Sequence, residues 1–299
     1  MKTNPVIRLR LSRAAAGALA CWLAAGLTAP AAPIQIVAAE SFYGDVARQV
    51  GGPEVTVFSI VTAPGQDPHQ FEATVTAARA IAAADLVICN GANYDPWLDN
   101  LLAASKSPRR TVVVVADVVG ANAGDNPHLW YDPATMPAVA ARVAGVLQAI
   151  DPAHADAYAR HLAVFRESLA PITAKIAAIK AKHAGAPVTA TEPVFGPMAK
   201  ALGLAVRNER FQLAVMNGTE PGARDLAAMQ DDLRARRVRM LLYNSQVSDD
   251  LTERLLAIAY AAGIPVVGVT ETAPANTSYQ DWIAQQLDAV AKALDGGAS

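Results

Sequence analysis

The 299-residue sequence contains only two cysteines and five histidines, and aromatic residues make up 6% of it. Cys21 lies in an N-terminal segment that we expect to be removed, so Cys89 alone would remain and no intramolecular disulfide could form. Cys89 stands in the apolar run DLVICN, where a cysteine usually behaves as a small buried hydrophobic residue. The sequence also lacks His-Glu-x-x-His, Gly-x-Ser-x-Gly and Gly-x-Gly-x-x-Gly motifs. It therefore gives no motif support for a zinc protease, a serine hydrolase or a dinucleotide-dependent enzyme.

Residues 1–33 have the pattern of a secretory signal peptide. A basic segment without acidic residues precedes an apolar run that ends in small residues and proline. A membrane anchor is the first alternative, but the run is barely long enough to span a bilayer. Lipidation at Cys21 is the second, although the preceding Ala-Leu-Ala matches the lipoprotein pattern poorly. The expected location is the periplasm. The basic residues of the segment are Lys2, Arg8, Arg10 and Arg13.

Removal of this segment changes the charge balance. The whole chain has 25 basic and 27 acidic residues, and loss of the four basic ones leaves 21 against 27. An acidic mature protein is a poor candidate for nucleic-acid binding. It is compatible with a cationic ligand.

The rest of the chain alternates short β-branched runs with alanine-rich helical stretches. Continuous apolar strands between helices indicate parallel sheets that are covered on both faces, and two such series predict two α/β lobes. The predicted strands are IQIVA, EVTVFSIV, DLVICN and TVVVVAD in the first series, and PVTATE, LAVRNE, VRMLLYN and IPVVGVT in the second.

Residues 151–185 carry no strand signal. Apolar residues recur there at intervals of three or four, which predicts one long, rigid connecting helix. Pro171 should bend this helix or remove one backbone hydrogen bond. We therefore expect an N-terminal lobe over 34–150, the connecting helix over 151–185 and a C-terminal lobe over 186–299. The helix also carries three histidines, which we interpret as solvated or packing residues: His154, His161 and His183.

Four candidate ligands follow predicted strands. His69 and His128 lie in loops of the first lobe, and Glu192 and Glu271 end strands of the second. Ligands of parallel α/β sheets bind beyond the carboxyl ends of the strands, so a cleft between the lobes would bring all four together. Two imidazoles and two carboxylates suit a first-row divalent metal.

Each candidate also has a structural interpretation. His69 and His128 could be loop histidines bonded to the backbone. Glu192, which precedes Pro193, could cap a helix, and Glu271 could be a surface charge. Residue spacing alone leaves these alternatives open.

Several motifs resemble the zinc-, manganese- and iron-binding proteins of bacterial ABC importers, the cluster A-I solute-binding family. They are ESFYGDVARQVGG, DPHQFEAT, NPHLWYDP and TEPVFGPMAKALGL, and the resemblance covers essentially the whole mature chain. It implies two lobes, a rigid connecting helix and a metal bound by His69, His128, Glu192 and Glu271. The family commonly has Asp at the fourth position, where this chain has Glu271, and this chain lacks the His-rich insertion of many zinc members.

The resulting prediction is an extracytoplasmic binding protein, not an enzyme, that delivers a divalent metal to a membrane permease. The cargo is Zn²⁺ or Mn²⁺, with Fe²⁺ as a further candidate, and the expected state is a monomer with no nucleic-acid partner. Two alternatives are a metal-dependent hydrolase and a binder of a small organic solute. The second would use cleft aromatics such as Tyr94, Trp97, Trp130 and Tyr131, which we expect instead to shield the metal from water.

Overall fold

In the part of the chain that the structure describes, eight short strands form two separate sheets of four parallel strands each. The strands are β1 (Ile34–Glu40), β2 (Val55–Val61), β3 (Leu86–Cys89), β4 (Thr111–Val114), β5 (Pro187–Ala190), β6 (Ala205–Val206), β7 (Leu241–Asn244) and β8 (Val266–Val269). Their order is β2-β1-β3-β4 in the first sheet and β6-β5-β7-β8 in the second. All eight lie where the sequence predicts strands, which confirms the two-lobed α/β prediction.

Helices connect the strands and cover the sheets. They are α1 (Ser41–Gly51), α2 (Val75–Ala83), α3 (Trp97–Ala104), α4 (Val115–Val119), α5 (Thr135–Ile150), α6 (Ala155–Ser168), α7 (Ala170–His183), α8 (Gly196–Ala201), α9 (Glu209–Met216), α10 (Ala223–Arg234), α11 (Asp250–Ala261) and α12 (Tyr279–Gly296). None of these described helices combines the length and the apolar character that a bilayer-spanning helix requires.

This computed structural model describes Met1 and residues 32–62, 71, 74–247 and 249–296. Most of the proposed signal peptide, including Cys21, lies outside the described residues. His69 also lies outside them. The described residues from Pro33 onward form one compact unit.

The connecting segment consists of two helices in succession. A short 3-10 turn over Pro152–His154 leads into α6, and a single residue separates the end of α6 from the start of α7. The intervening Leu169 keeps a right-handed helical conformation, with φ −84° and ψ −8°. Pro171, the second residue of α7, has no N–H to donate, so the hydrogen-bond ladder breaks there. The structure confirms the predicted interruption at this proline.

One apolar cluster extends through both lobes. Trp130 of the first lobe and Trp282 of α12 are fully buried members of it. Phe42 lies against both rings, with centroid distances of 4.6 Å to Trp130 and 5.6 Å to Trp282. On the outside, α7 is tied to α12, because Lys182 and His183 both pair with Asp295. The two sheets are therefore joined by packed side chains as well as by the chain itself.

Candidate metal centre

His128 lies in the connection between β4 and α5 and is fully buried. Its Nδ1 is 2.7 Å from the side-chain oxygen of Asn126, which also accepts the His128 backbone N–H. The Asn126 amide nitrogen donates to the carbonyl oxygen of Pro193, so the amide orientation is fixed and its oxygen must face the imidazole. Nδ1 therefore carries the proton, and Nε2 is the nitrogen available to coordinate a metal.

Glu271 follows β8 by two residues, is 4% exposed and faces this imidazole. Its Oε2 is 3.6 Å from Nε2 of His128 and accepts a hydrogen bond of 2.9 Å from the Tyr94 hydroxyl. The backbone N–H of Glu271 donates to the side-chain oxygen of Gln246, which also accepts from the N–H of Thr272. Glu271 is thus a positioned, buried carboxylate, and the surface-charge interpretation is wrong.

Glu192 follows β5 by two residues and lies beside Glu271. The amide nitrogen of Asn244, the last residue of β7, donates to Oε2 of Glu192 at 3.0 Å and to Oε1 of Glu271 at 2.6 Å. One nitrogen therefore holds both carboxylates at the carboxyl edge of the second sheet. Glu192 occupies the N-cap position of the 3-10 turn Pro193–Phe195, but its side chain makes no capping hydrogen bond. The helix-capping interpretation is therefore not supported.

Three of the four predicted ligands thus lie in one region, where residues of the two lobes meet. The fourth, His69, is outside the described residues. Within the described part of the chain, no group of three or more His, Cys, Asp or Glu side chains is arranged to hold a metal ion. The pair His128–Glu271 is in direct proximity, and Glu192 is related to that pair through the Asn244 amide.

Aromatic side chains enclose the buried pair. Tyr94, Trp130 and Tyr131 are fully buried, and the Trp130 ring packs edge-on against His128 at a centroid distance of 5.4 Å. The Tyr94 hydroxyl donates a hydrogen bond to Glu271, and the Tyr131 hydroxyl donates to the carbonyl oxygen of Thr270. These rings exclude water from the pair. The two tyrosine hydroxyls are used by protein acceptors, whereas the buried Trp130 indole nitrogen has no hydrogen-bond partner among the described residues. Trp97 belongs to a different apolar cluster, where it packs against Phe71.

Burial also shapes the titration of this region. It raises the pKa of the Tyr94 hydroxyl well above its usual value, and the nearby carboxylates of Glu271 and Glu40 add to the increase. Tyr94 is therefore a neutral hydrogen-bond donor at physiological pH. Burial raises the pKa of Asp95 to about 6, although this carboxylate accepts the backbone N–H groups of Asn90 and Gly91.

The three remaining histidines have other partners, as expected for the connecting helix. His154 pairs with Asp151, and Nε2 of His183 lies 2.8 Å from Asp295. Nδ1 of His161 lies 3.2 Å from the carbonyl oxygen of Val50.

Sequence reasoning missed three residues of the site: Asn126, Asn244 and Gln246. Asn244 ends the predicted strand VRMLLYN, so the strand-end argument applied to the ligands could have found it. Asn126 stands two residues before His128, a spacing that suits an Asx-type hydrogen bond to the backbone. Gln246 has no local signal, because its partners are 25 and 26 residues away in sequence.

The fold and the region around His128 and Glu271 are those of a two-lobed protein with buried polar groups at the carboxyl ends of the strands. Residues 36–293 match the family described as ZnuA, the periplasmic component A of a zinc-uptake complex. The chain belongs to this family. That assignment makes it a component of a transport system.

Individual relatives differ in the metals that their names give. The chain is 24% identical over 226 residues to the iron-binding protein YfeA of Yersinia pestis, covering 72% of this chain and 70% of the relative. It is 24% identical over 286 residues to the manganese ABC transporter substrate-binding lipoprotein PsaA of Streptococcus anginosus, covering 87% and 89%. The solved structure of the periplasmic zinc-binding protein TroA from Treponema pallidum superimposes with a TM-score of 0.73 at 18% identity, covering 88% of this chain and 99% of TroA.

Proposed function

We propose that this protein captures one divalent transition-metal ion, Zn²⁺ or Mn²⁺, outside the cytoplasm and delivers it to the membrane permease of an ABC importer. The proposed ligands are His69, His128, Glu192 and Glu271. The ion is cargo, which the protein binds and releases without changing it. We further propose that the protein acts as a monomer, and Fe²⁺ remains a third candidate cargo.

The single observation that carries the proposal is the buried contact between His128 and Glu271. An imidazole nitrogen and a carboxylate oxygen lie 3.6 Å apart, with side chains that are 1% and 5% exposed. A carboxylate that is removed from water requires a compensating charge or several hydrogen bonds. A divalent cation between the two groups would supply that charge.

The surroundings of this pair support binding over catalysis. Catalytic metal sites keep a coordination position open for water or substrate and place a general base beside it. Among the described residues, aromatic rings and the amides of Asn126 and Asn244 surround His128 and Glu271 and hold them in place. Such an enclosed pair suits an ion that must be held and released, and membership in a transport-component family supports the same interpretation.

Metal content of the purified protein tests this function. The protein should be prepared without chelators or affinity metals, and its metals measured by inductively coupled plasma mass spectrometry. We expect about one first-row transition-metal ion per chain. His128→Ala should lose most of the metal because it removes a ligand.

His154→Ala is the matched control, because its side chain is 47% exposed and pairs only with Asp151 among the described residues. This control should retain the metal of the wild type. Wild-type protein that remains metal-free after incubation with Zn²⁺ and Mn²⁺ would contradict the proposal, as would full occupancy in His128→Ala.

A further inference from the structure

Glu40 is a buried acid that the proposed ligand set does not include. It is the last residue of β1, which lies between β2 and β3 in the first sheet, and it is paired with Val61 at the end of β2. Its side chain is fully buried, and neither carboxyl oxygen has a hydrogen-bond partner among the described residues. A buried ionised carboxylate without partners is very costly, so the neutral acid is the form that this environment favours.

The groups that interact electrostatically with Glu40 are themselves acidic. Burial raises its pKa well above the usual value and the Asp95 carboxylate raises it further, while the Glu40 backbone N–H opposes part of this increase. The charge of Glu40 also raises the pKa of three nearby groups: the Tyr43 hydroxyl on α1, the Cys89 thiol on β3 and the Tyr94 hydroxyl in the following loop. Among these described neighbours there is no cationic side chain to stabilise the ionised form.

Tyr94 connects this acid to the proposed metal centre. Its hydroxyl lies within electrostatic range of both Glu40 and Glu271 and donates its hydrogen bond to Glu271. Glu271 in turn lies 3.6 Å from His128. Glu40 and a proposed ligand therefore act on the same buried hydroxyl, and a cation bound at that ligand would act on Glu40 through a water-poor interior.

We propose that Glu40 exchanges a proton for the metal: it is protonated in the metal-free protein and releases its proton to solvent when a divalent cation binds. This inference rests on the proposed function. The step breaks the carboxyl O–H bond, leaves the electron pair on oxygen and involves no redox change. By reciprocity, protonation of Glu40 lowers the affinity for the cation and promotes its release.

The same residue makes the stability of the metal-free protein depend on pH. Because the pKa of Glu40 is higher in the folded chain than in the unfolded one, its protonated form stabilises the fold fully at pH values below the unfolded pKa. That contribution is lost as the pH rises through the folded pKa. Replacement by glutamine, which has nearly the same shape and does not titrate, should remove this part of the pH dependence.

Isothermal titration calorimetry with Mn²⁺ tests the proton exchange. Titrations in two buffers of different ionisation enthalpy give the number of protons released per ion. At about pH 7.5, above the pKa of a free imidazole, Glu40→Gln should release about one proton fewer than the wild type. Glu167→Gln, an exposed glutamate on α6, is the matched control and should behave as the wild type. Equal proton release by Glu40→Gln and wild type would overturn the inference while leaving the proposed function intact.

Two further measurements separate this role from a structural one. Glu40→Asp keeps the carboxyl group and should release as many protons as the wild type. If Glu40→Asp and Glu40→Gln both release one proton fewer, the effect would come from altered packing and would contradict the exchange. Difference infrared spectroscopy on the wild type needs no variant: addition of Mn²⁺ should remove a protonated-carboxyl band. Persistence of every such band in metal-loaded protein would also overturn the inference. Absence of Mn²⁺ and Zn²⁺ binding to the wild type would reject the proposed function and this inference together.

Discussion

The Tyr94 hydroxyl donates a hydrogen bond of 2.9 Å to Oε2 of Glu271, and this bond joins the loop after β3 to the loop after β8. The two residues are 177 positions apart and follow strands of different sheets. Both are buried, so the bond forms in an environment that strengthens it. It orients a proposed ligand from the opposite lobe.

Tyr94→Phe should weaken metal binding by about tenfold, because the loss of a partner that orients a ligand typically costs 10–100-fold in affinity. It should also lower the free energy of unfolding by about 1–3 kcal/mol, since Glu271 loses a hydrogen-bond donor. Calorimetric titration and denaturant unfolding measure the two effects.

Tyr158→Phe is the control for this change. The Tyr158 side chain is also buried, and its hydroxyl donates at 2.9 Å to Asp151 instead of to a proposed ligand. This variant should lose stability and keep its affinity. Equal affinity losses in the two variants would show that Tyr94 does not act through Glu271.

Gly196→Ala should lower metal affinity through Asn126. An added Cβ at Gly196 would lie 2.9 Å from the Asn126 amide nitrogen, so the amide that fixes the His128 ring must move. The expected loss of metal affinity is again about tenfold, the lower end of the range for a residue that orients a ligand.

Gly145→Ala in α5 is the matched control, since nothing lies within 4 Å of its added Cβ. It should leave affinity unchanged and stabilise the helix by up to about 1 kcal/mol. Unchanged affinity in Gly196→Ala would remove Asn126 from the site.

Glu192 should set part of the metal preference. Two imidazoles with two carboxylates form a harder site than three imidazoles with one carboxylate, and hard oxygen ligands favour Mn²⁺ relative to Zn²⁺. Glu192→His should therefore raise the Zn²⁺/Mn²⁺ affinity ratio by about tenfold, or about 1.4 kcal/mol. Glu192→Ala should weaken both metals. Competitive titration measures the ratio.

Glu209→Ala, at an exposed glutamate that begins α9, is the control for the Glu192 variants and should bind both metals as the wild type does. A Zn²⁺/Mn²⁺ ratio that stays fixed in Glu192→His, with only the melting temperature altered, would argue that Glu192 is not a ligand.

The two lobes should keep their arrangement when metal binds. The Tyr279 hydroxyl of α12 donates to the carbonyl oxygen of Trp130, and the Tyr279 N–H donates to Asp45 of α1. These bonds accompany an apolar cluster that spans both lobes, and packed interiors do not deform continuously. The radius of gyration from small-angle scattering should agree between metal-free and metal-loaded protein within error. A decrease like that of a hinged domain closure would contradict this expectation.

Local sequence patterns predicted most of the fold, and their failures have physical causes. TVVVVAD was predicted as a strand through Asp117, but β4 ends at Val114 and α4 begins at Val115. The Ala116 N–H instead bonds the carbonyl oxygen of Asn90, so tertiary contacts override β-propensity there. LAVRNE gave only the two-residue strand β6, because Asn208 adopts a left-handed conformation with φ +61° and α9 follows it.

At the site, the positions of the strand ends predicted which residues approach one another. They did not predict the hydrogen bonds that hold those residues in place. His128 and Glu271 could be placed at the same cleft because parallel sheets present their carboxyl ends to a ligand. The bonds from Tyr94 and Asn244 to Glu271 depend on how the two lobes pack, and local sequence does not encode that. Glu40 was missed for a similar reason, since its full burial follows from the helix and strands around it and not from its neighbours in sequence.

The most direct test of the central claim is the thermal stability of metal-free protein with and without added Zn²⁺ or Mn²⁺. A ligand that binds only the folded chain stabilises it by about 4 kcal/mol at a thousandfold excess over Kd. Melting should therefore shift upward by several degrees, saturate at one ion per chain, and be reduced in His128→Ala but not in His154→Ala. A melting temperature that no first-row divalent metal changes would contradict the metal site and the transport function proposed from it.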